Sequence, residues 1–75
     1  MNEYLIPICN IKDDDIYIET IHAASMNEAE NKLMYRLMDR YDYLPDADRY
    51  DEFVDICSED YDLLIGSIKE LDELC

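Results

Sequence analysis

The chain has 75 residues, of which 49% are hydrophobic, and its formal net charge is −14. That hydrophobic share supports one small folded domain and argues against disorder, whereas the apolar runs fall short of the roughly 20 residues of a membrane helix. Twenty acidic residues against six basic ones disfavour direct binding to DNA, RNA or an anionic membrane, because phosphates would repel the chain.

Two short apolar runs at the start of the chain predict a β-hairpin. Residues 4–11 (YLIPICNI) are rich in Ile and predict a first strand, and residues 16–22 (IYIETIH) predict a second. The polar residues 12–15 between them predict the turn. Pro7 has no backbone N–H, so it predicts that the first strand lies at a sheet edge or carries a bulge.

A helix is predicted from Met26 to about Tyr41. Ser25 and Glu28 form an S-x-x-E capping box at its start. Apolar residues at helical spacing then share one face, namely Met26, Ala29, Leu33, Met34, Leu37 and Tyr41. The helix also holds three of the six basic residues, Lys32, Arg36 and Arg40, so it is nearly balanced in charge.

The next predicted helix is strongly acidic. Residues 48–59 (DRYDEFVDICSE) place Tyr50, Phe53, Val54 and Cys57 on one helical face. The opposite face carries carboxylates only, from Asp48, Asp51, Glu52, Asp55 and Glu59. From Asp39 to Asp62 there are ten acidic residues and two basic ones.

The last part of the chain fits two predictions. In the first, residues 61–65 (YDLLI) form a third strand that ends at Gly66, and Ser67 with Glu70 caps a short final helix containing Ile68, Leu71 and Leu74 or Cys75. In the second, Ser58 caps a single helix that runs to the end. The strand is preferred, because a lone two-stranded hairpin is only marginally stable.

Together the elements predict one small α+β domain over residues 1–75. It contains a ββα unit, a short acidic second helix, and a third strand or a C-terminal helix. No residue spacing fits an active site, a cofactor site or a metal site, so we expect a protein that is not an enzyme. Calcium loops starting at Asp46 or Asp60 fail at their fifth and sixth positions, and His22 has no paired ligand and fits a strand.

The three cysteines are widely spaced and odd in number, which favours reduced thiols over a disulfide framework and a cytoplasmic location. Cys9 and Cys57 stand among apolar residues, so we expect both in the core. No N-terminal basic and apolar signal segment is evident either.

The acidic stretch predicts a positively charged partner. Arg binds carboxylate and phosphate with the same bidentate fork, so a row of carboxylates can occupy a site that normally holds a nucleic-acid backbone. The expected partner is a basic, nucleic-acid-binding host protein. The predicted partner-binding residues are Asp46, Asp48, Asp51, Glu52, Asp55, Glu59, Asp60 and Asp62, with Asp13, Asp14 and Asp15 as a second set.

In its size, its Asp/Glu excess and the stretch DADRYDEFVDICSEDYD (residues 46–62), the chain resembles the small acidic proteins with which phages and mobile elements block host defence. These include anti-CRISPR and anti-restriction DNA mimics. The resemblance implies an inhibitor of a CRISPR effector or restriction enzyme that acts in the cytoplasm of a host bacterium.

Two other interpretations remain open. The edge strand predicted at residues 4–11 would make the protein an interaction module that pairs with a partner strand or with a second copy, as a homodimer. The acidity would then serve solubility and association rate. Acidic composition is also common in salt-adapted and highly soluble proteins.

Overall fold

The computed structural model describes residues 2–71, which form a two-layer α+β structure with one antiparallel sheet and two helices. In chain order the elements are β1 (Asn2–Asn10), β2 (Asp15–Ala23), α1 (Met26–Arg40), α2 (Tyr50–Asp60), β3 (Leu63–Ile65) and β4 (Lys69–Glu70). The predicted ββα start, acidic second helix and third strand are therefore confirmed.

The hairpin forms because both strands alternate in burial. In β1, Tyr4, Ile6 and Ile8 are buried on the side that faces the helices, while their neighbours face outward. β1 pairs with β2 along its full length, from Asn2 opposite Ala23 to Asn10 opposite Asp15. The intervening turn closes with Asp14 at φ 54°, a left-handed conformation that Asp tolerates better than most residues.

β1 is the central strand of the sheet, so its predicted edge position is wrong. β2 covers one side, and the other side pairs with β3 at residues 8–10 and with β4 at residues 4 and 5. Pro7 lies opposite the interruption between β3 and β4, and its carbonyl accepts a hydrogen bond from the Gly66 N–H at 2.8 Å. Pro7 has no N–H to donate toward β3 and β4, and the pairing of β1 is already interrupted there. A proline is therefore tolerated in this central strand.

The capping box at the start of α1 is confirmed. The Ser25 hydroxyl accepts a hydrogen bond from the Glu28 N–H at 3.3 Å, and a Glu28 carboxylate oxygen accepts one from the Ala24 N–H at 3.1 Å. The first bond satisfies a donor that the first helical turn leaves free, and the second satisfies the N–H of the residue just before the N-cap. The predicted apolar face packs on the sheet, except that Met26 is 39% exposed.

α2 begins two residues later than predicted. Its N-cap is Arg49, whose side chain makes no capping bond, so Asp48 precedes the helix rather than lying on its face. Phe53 and Cys57 are fully buried against the sheet and α1, which confirms the predicted apolar side.

The C-terminal helix predicted after Gly66 is wrong at its start. Residues 69–70 form β4 instead, because β1 offers unpaired backbone groups at residues 4 and 5. The remainder of that predicted helix, including Leu74 and Cys75, lies outside the described residues.

The core lies between the inner face of the sheet and the two helices. Cys57 belongs to it as predicted, and the largest wholly buried side chain is that of Phe53. Cys9 does not belong to it, because alternation along β1 places its side chain on the outer face of the sheet, where it is only half-buried.

Candidate functional site: the acidic face of the second helix

Four carboxylates share one side of α2. Asp51, Glu52, Asp55 and Glu59 are all exposed, and at 3.6 residues per turn they fall within about 100° of the helix circumference. Phe53 and Cys57 occupy the opposite side, which is buried. The burial of these apolar residues therefore fixes the direction in which the carboxylates point. We call these four residues the α2 acidic face.

The other four predicted partner-binding residues flank this face without extending it as one row. Asp46 and Asp48 are exposed in the connection before α2, and Asp60 is its last residue, about a third of a turn away from the middle of the acidic face. Asp62 is exposed just before β3, and its carbonyl accepts a hydrogen bond from the Ile11 N–H at 3.0 Å. The structure thus gathers four of the eight residues and leaves the others at the ends of the helix.

The second set, in the hairpin turn, is largely occupied with holding the fold. Asp13 accepts a hydrogen bond from the Asn10 side chain at 3.2 Å, and its own N–H binds back to that side chain at 3.1 Å. Asp15 forms an ion pair with Arg40 at 3.4 Å. Only Asp14 is exposed without such a contact within residues 2–71, so the turn is a poor candidate for a partner site.

The basic side chains of α1 are directed away from the α2 acidic face. Lys32, Arg36 and Arg40 recur every four residues and follow β2 along its length. Lys32 donates to the His22 carbonyl at 2.8 Å and Arg36 to the Thr20 carbonyl at 2.9 Å, while Arg40 reaches Asp15. Within residues 2–71, every ion pair involves β1, β2 or α1, and none involves the α2 acidic face or its four flanking carboxylates.

A cleft of about 260 Å³ opens where the start of α2 meets α1. Glu30 and Asp51 both line it, and burial together with the charge of Asp51 raises the pKa of the Glu30 carboxyl. Burial and the nearby Glu30 also raise the pKa of the Tyr50 hydroxyl. The negative charge at this end of α2 is therefore held without a neutralising ion pair among the described residues.

Sequence reasoning missed Glu30 at this site. The signal was available, because Glu30 follows Met26 by four residues and precedes Met34 by four, so it falls within the apolar stripe of α1. An acidic residue in that position is drawn toward the neighbouring helix instead of toward open solvent.

No protein-family model, curated protein or solved structure matched the chain. Among residues 2–71, no helix combines the length and apolar character needed to cross a membrane. Within the same range, no group of three or more His, Cys, Asp or Glu side chains is arranged to hold a metal ion. What the protein does must therefore be inferred from the chemistry of its own side chains.

Proposed function

We propose that the protein is a non-enzymatic inhibitor that binds a basic, nucleic-acid-binding protein through the α2 acidic face. The observation that supports this most directly is the separation of charge. Four exposed carboxylates stand on one helix side without ion pairs in residues 2–71, while Lys32, Arg36 and Arg40 are engaged at β2. Arg49 lines the cleft beside Asp51, but no ion pair engages the four carboxylates within residues 2–71, so they are available to the cations of a partner.

The spacing of the carboxylates supports phosphate mimicry. Asp51 to Glu59 span about 12 Å of helix, so the four charges are spaced by about 4 Å on average along the axis. One strand of duplex DNA carries a charge every ~3.4 Å of axis. Arg and Lys side chains that line a nucleic-acid groove would therefore meet a similar density of acceptors, and Arg would bind each carboxylate with its bidentate fork. The resemblance to anti-defence proteins makes a CRISPR effector or a restriction enzyme the expected target.

A salt-resolved pull-down from bacterial lysate tests the proposal. The wild type is compared with D51K/D55K, which reverses two charges on the α2 acidic face, and with D39K/D42K as the matched control. Asp39 and Asp42 are also exposed, so both variants change the net charge by the same amount. We expect a nucleic-acid-binding protein to be retained by the wild type and D39K/D42K, to be lost by D51K/D55K, and to elute at raised salt.

Competition then separates mimicry from other acidic contacts. The captured protein is purified, and its binding to labelled DNA or RNA is measured by fluorescence anisotropy while this protein is added. Mimicry predicts displacement of the nucleic acid by the wild type and by D39K/D42K, but not by D51K/D55K. Equal displacement by D51K/D55K, or simultaneous binding of both ligands, would contradict the proposal.

The alternative role as a strand-pairing module now points to β2 in place of β1. β2 is a nine-residue strand with β1 on one side only, and its side chains Ile16 and Ile18 are strongly exposed. Strand addition relies on main-chain hydrogen bonds, so binding of this kind would change little with added salt and would survive in D51K/D55K.

A further inference from the structure

Within residues 2–71, one face of the sheet is covered by neither α1 nor α2. On this side lie Leu5, Pro7 and Cys9 of β1, Ile16 and Ile18 of β2, and Leu64 of β3. The strand register makes them contiguous, because Ile16 and Leu64 flank Cys9 from either side and Ile18 lies opposite Pro7. Ile16 is 80% exposed, Ile18 63% and Leu64 45%. We call this set the outer apolar face.

We infer that the outer apolar face is the interface of a homodimer, in which two sheets pack face to face. This inference does not depend on the proposed function. In a chain with 35% charged residues, the rows that contain Pro7 and Cys9 carry no charged side chain. A basic partner finds no carboxylate there, whereas a second copy brings an identical uncharged face, and two-fold interfaces are self-complementary.

The placement of the carboxylates allows two copies to approach. The α2 acidic face lies in the helical layer, on the far side of the sheet from the outer apolar face. Packed layers are about 10 Å apart, so the acidic faces of two copies would be separated by roughly 30 Å across the dimer. That distance is several times the Debye length of about 8 Å at physiological salt. Repulsion between the two α2 acidic faces is therefore weak in this arrangement and strong in one that brings the helices together.

The size of the outer apolar face indicates a weak dimer. Its six residues, on strands about 4.8 Å apart and in rows about 6.6 Å apart, give a footprint of about 200 Å². A stable interface buries about 800 Å² on each partner, so the outer apolar face would form only the centre of the interface. The remaining area is supplied by the rim, where Glu3 and Lys69 offer both signs of charge for pairing between copies.

Analytical ultracentrifugation of the full chain tests the dimer, at concentrations from about 1 µM to about 500 µM, which bracket weak interfaces. The variants are I18K and, as the matched control, Y35K. Ile18 and Tyr35 are both 63% exposed, and each substitution adds the same charge, but Tyr35 lies on α1. We expect wild type and Y35K to dimerise and I18K to remain monomeric with an unchanged circular dichroism spectrum. A wild type that stays monomeric at every concentration, or equal dissociation of both variants, would overturn the inference.

Alkylation of Cys9 distinguishes face-to-face packing from pairing at the β2 edge, and it needs no substitution in the interface. The background is C75S, and Cys57 reacts slowly because burial raises its pKa to about 11. Face-to-face packing covers Cys9, so its alkylation rate should fall several-fold as the concentration rises through the dimer transition. Pairing at the β2 edge leaves the central strand open, and a dimer with an unchanged Cys9 rate would therefore overturn the face-to-face arrangement.

Discussion

The contact between Pro7 and Gly66 shows how single residues set the shape of the sheet. A Cβ atom at Gly66 would overlap the Pro7 Cγ and lie 3.2 Å from its Cδ. The proline ring is rigid and cannot move aside, so glycine is needed at this point of the chain for space. The same pair also supplies the hydrogen bond that holds the interrupted edge strand against β1.

We therefore expect G66A to lower the free energy of unfolding by about 1–3 kcal/mol, as overpacking of a well-packed site does. Urea denaturation measures the loss. The double variant P7A/G66A should recover much of it, because alanine lacks the Cγ and Cδ that the new methyl group meets. If the losses of P7A and G66A simply add in the double variant, the steric explanation fails, since residues in contact should show coupling.

At the scale of elements, the sequence predicts what is determined locally. The S-x-x-E box places the start of α1 correctly, and the two short apolar runs place both hairpin strands within two residues. The errors share a long-range cause. Whether Pro7 lies in a central strand, and whether residues 69–70 form a strand or a helix, depends on pairing between β1 and the end of the chain. The exposure of the predicted acidic side of α2 followed from periodicity, but its lack of ion pairs depends on how α1 packs on β2.

The junction of α1 and α2 carries a like-charge contact that affects stability. Glu30 ionises less readily in the folded chain, because burial and Asp51 raise its pKa. The ionised Glu30 carboxylate therefore destabilises the folded state at neutral pH. This destabilisation is lost as the pH falls from the pKa of Glu30 in the folded chain to its lower pKa in the unfolded chain. We expect E30Q to stabilise the protein at pH 7 by a few tenths of a kcal/mol, since solvent screens the repulsion.

Urea denaturation at pH 7 and at pH 4 checks the sign. The increase in the free energy of unfolding caused by E30Q should be smaller at the lower pH, where the wild-type Glu30 carboxyl is largely protonated. E52Q serves as the control, because it removes one exposed charge from the α2 acidic face without touching the cleft. An equal gain from both variants would assign the effect to net charge in general and not to the contact of Glu30 with Asp51.

Over the whole molecule, charge is distributed by layer and by edge. The bases of α1 lie along β2, the α2 acidic face lies in the helical layer, and the outer apolar face occupies the opposite side of the sheet. One chain thus presents two surfaces of different chemistry that do not compete for the same partner. If both are used, a homodimer would display two acidic faces pointing in opposite directions.

The net charge of −14 also predicts how the fold responds to salt. The described residues span 33 × 25 × 18 Å, and the Debye length is about 30 Å at 0.01 M salt but about 8 Å at 0.15 M. At low salt each carboxylate is therefore repelled by nearly all the others, and at 0.15 M only by its neighbours. Salt also weakens the Lys and Arg ion pairs among residues 2–71, but these are exposed or partly exposed, and such pairs contribute about 0–1 kcal/mol each.

The relief of repulsion should outweigh the loss of ion pairs, so we expect the melting temperature to rise by several degrees between 0.01 M and 0.15 M NaCl. For a chain of this size, about 1 kcal/mol of stability corresponds to ~4–8 °C in melting temperature. Thermal unfolding followed by circular dichroism, at a protein concentration below the dimer transition, measures the rise. D51N/E52Q/D55N should melt higher at low salt and gain less on addition of salt, because it lacks three of the repelling charges. A melting temperature that falls with salt would mean that the ion pairs along β2 outweigh the repulsion, and that the α2 acidic face places little strain on the fold.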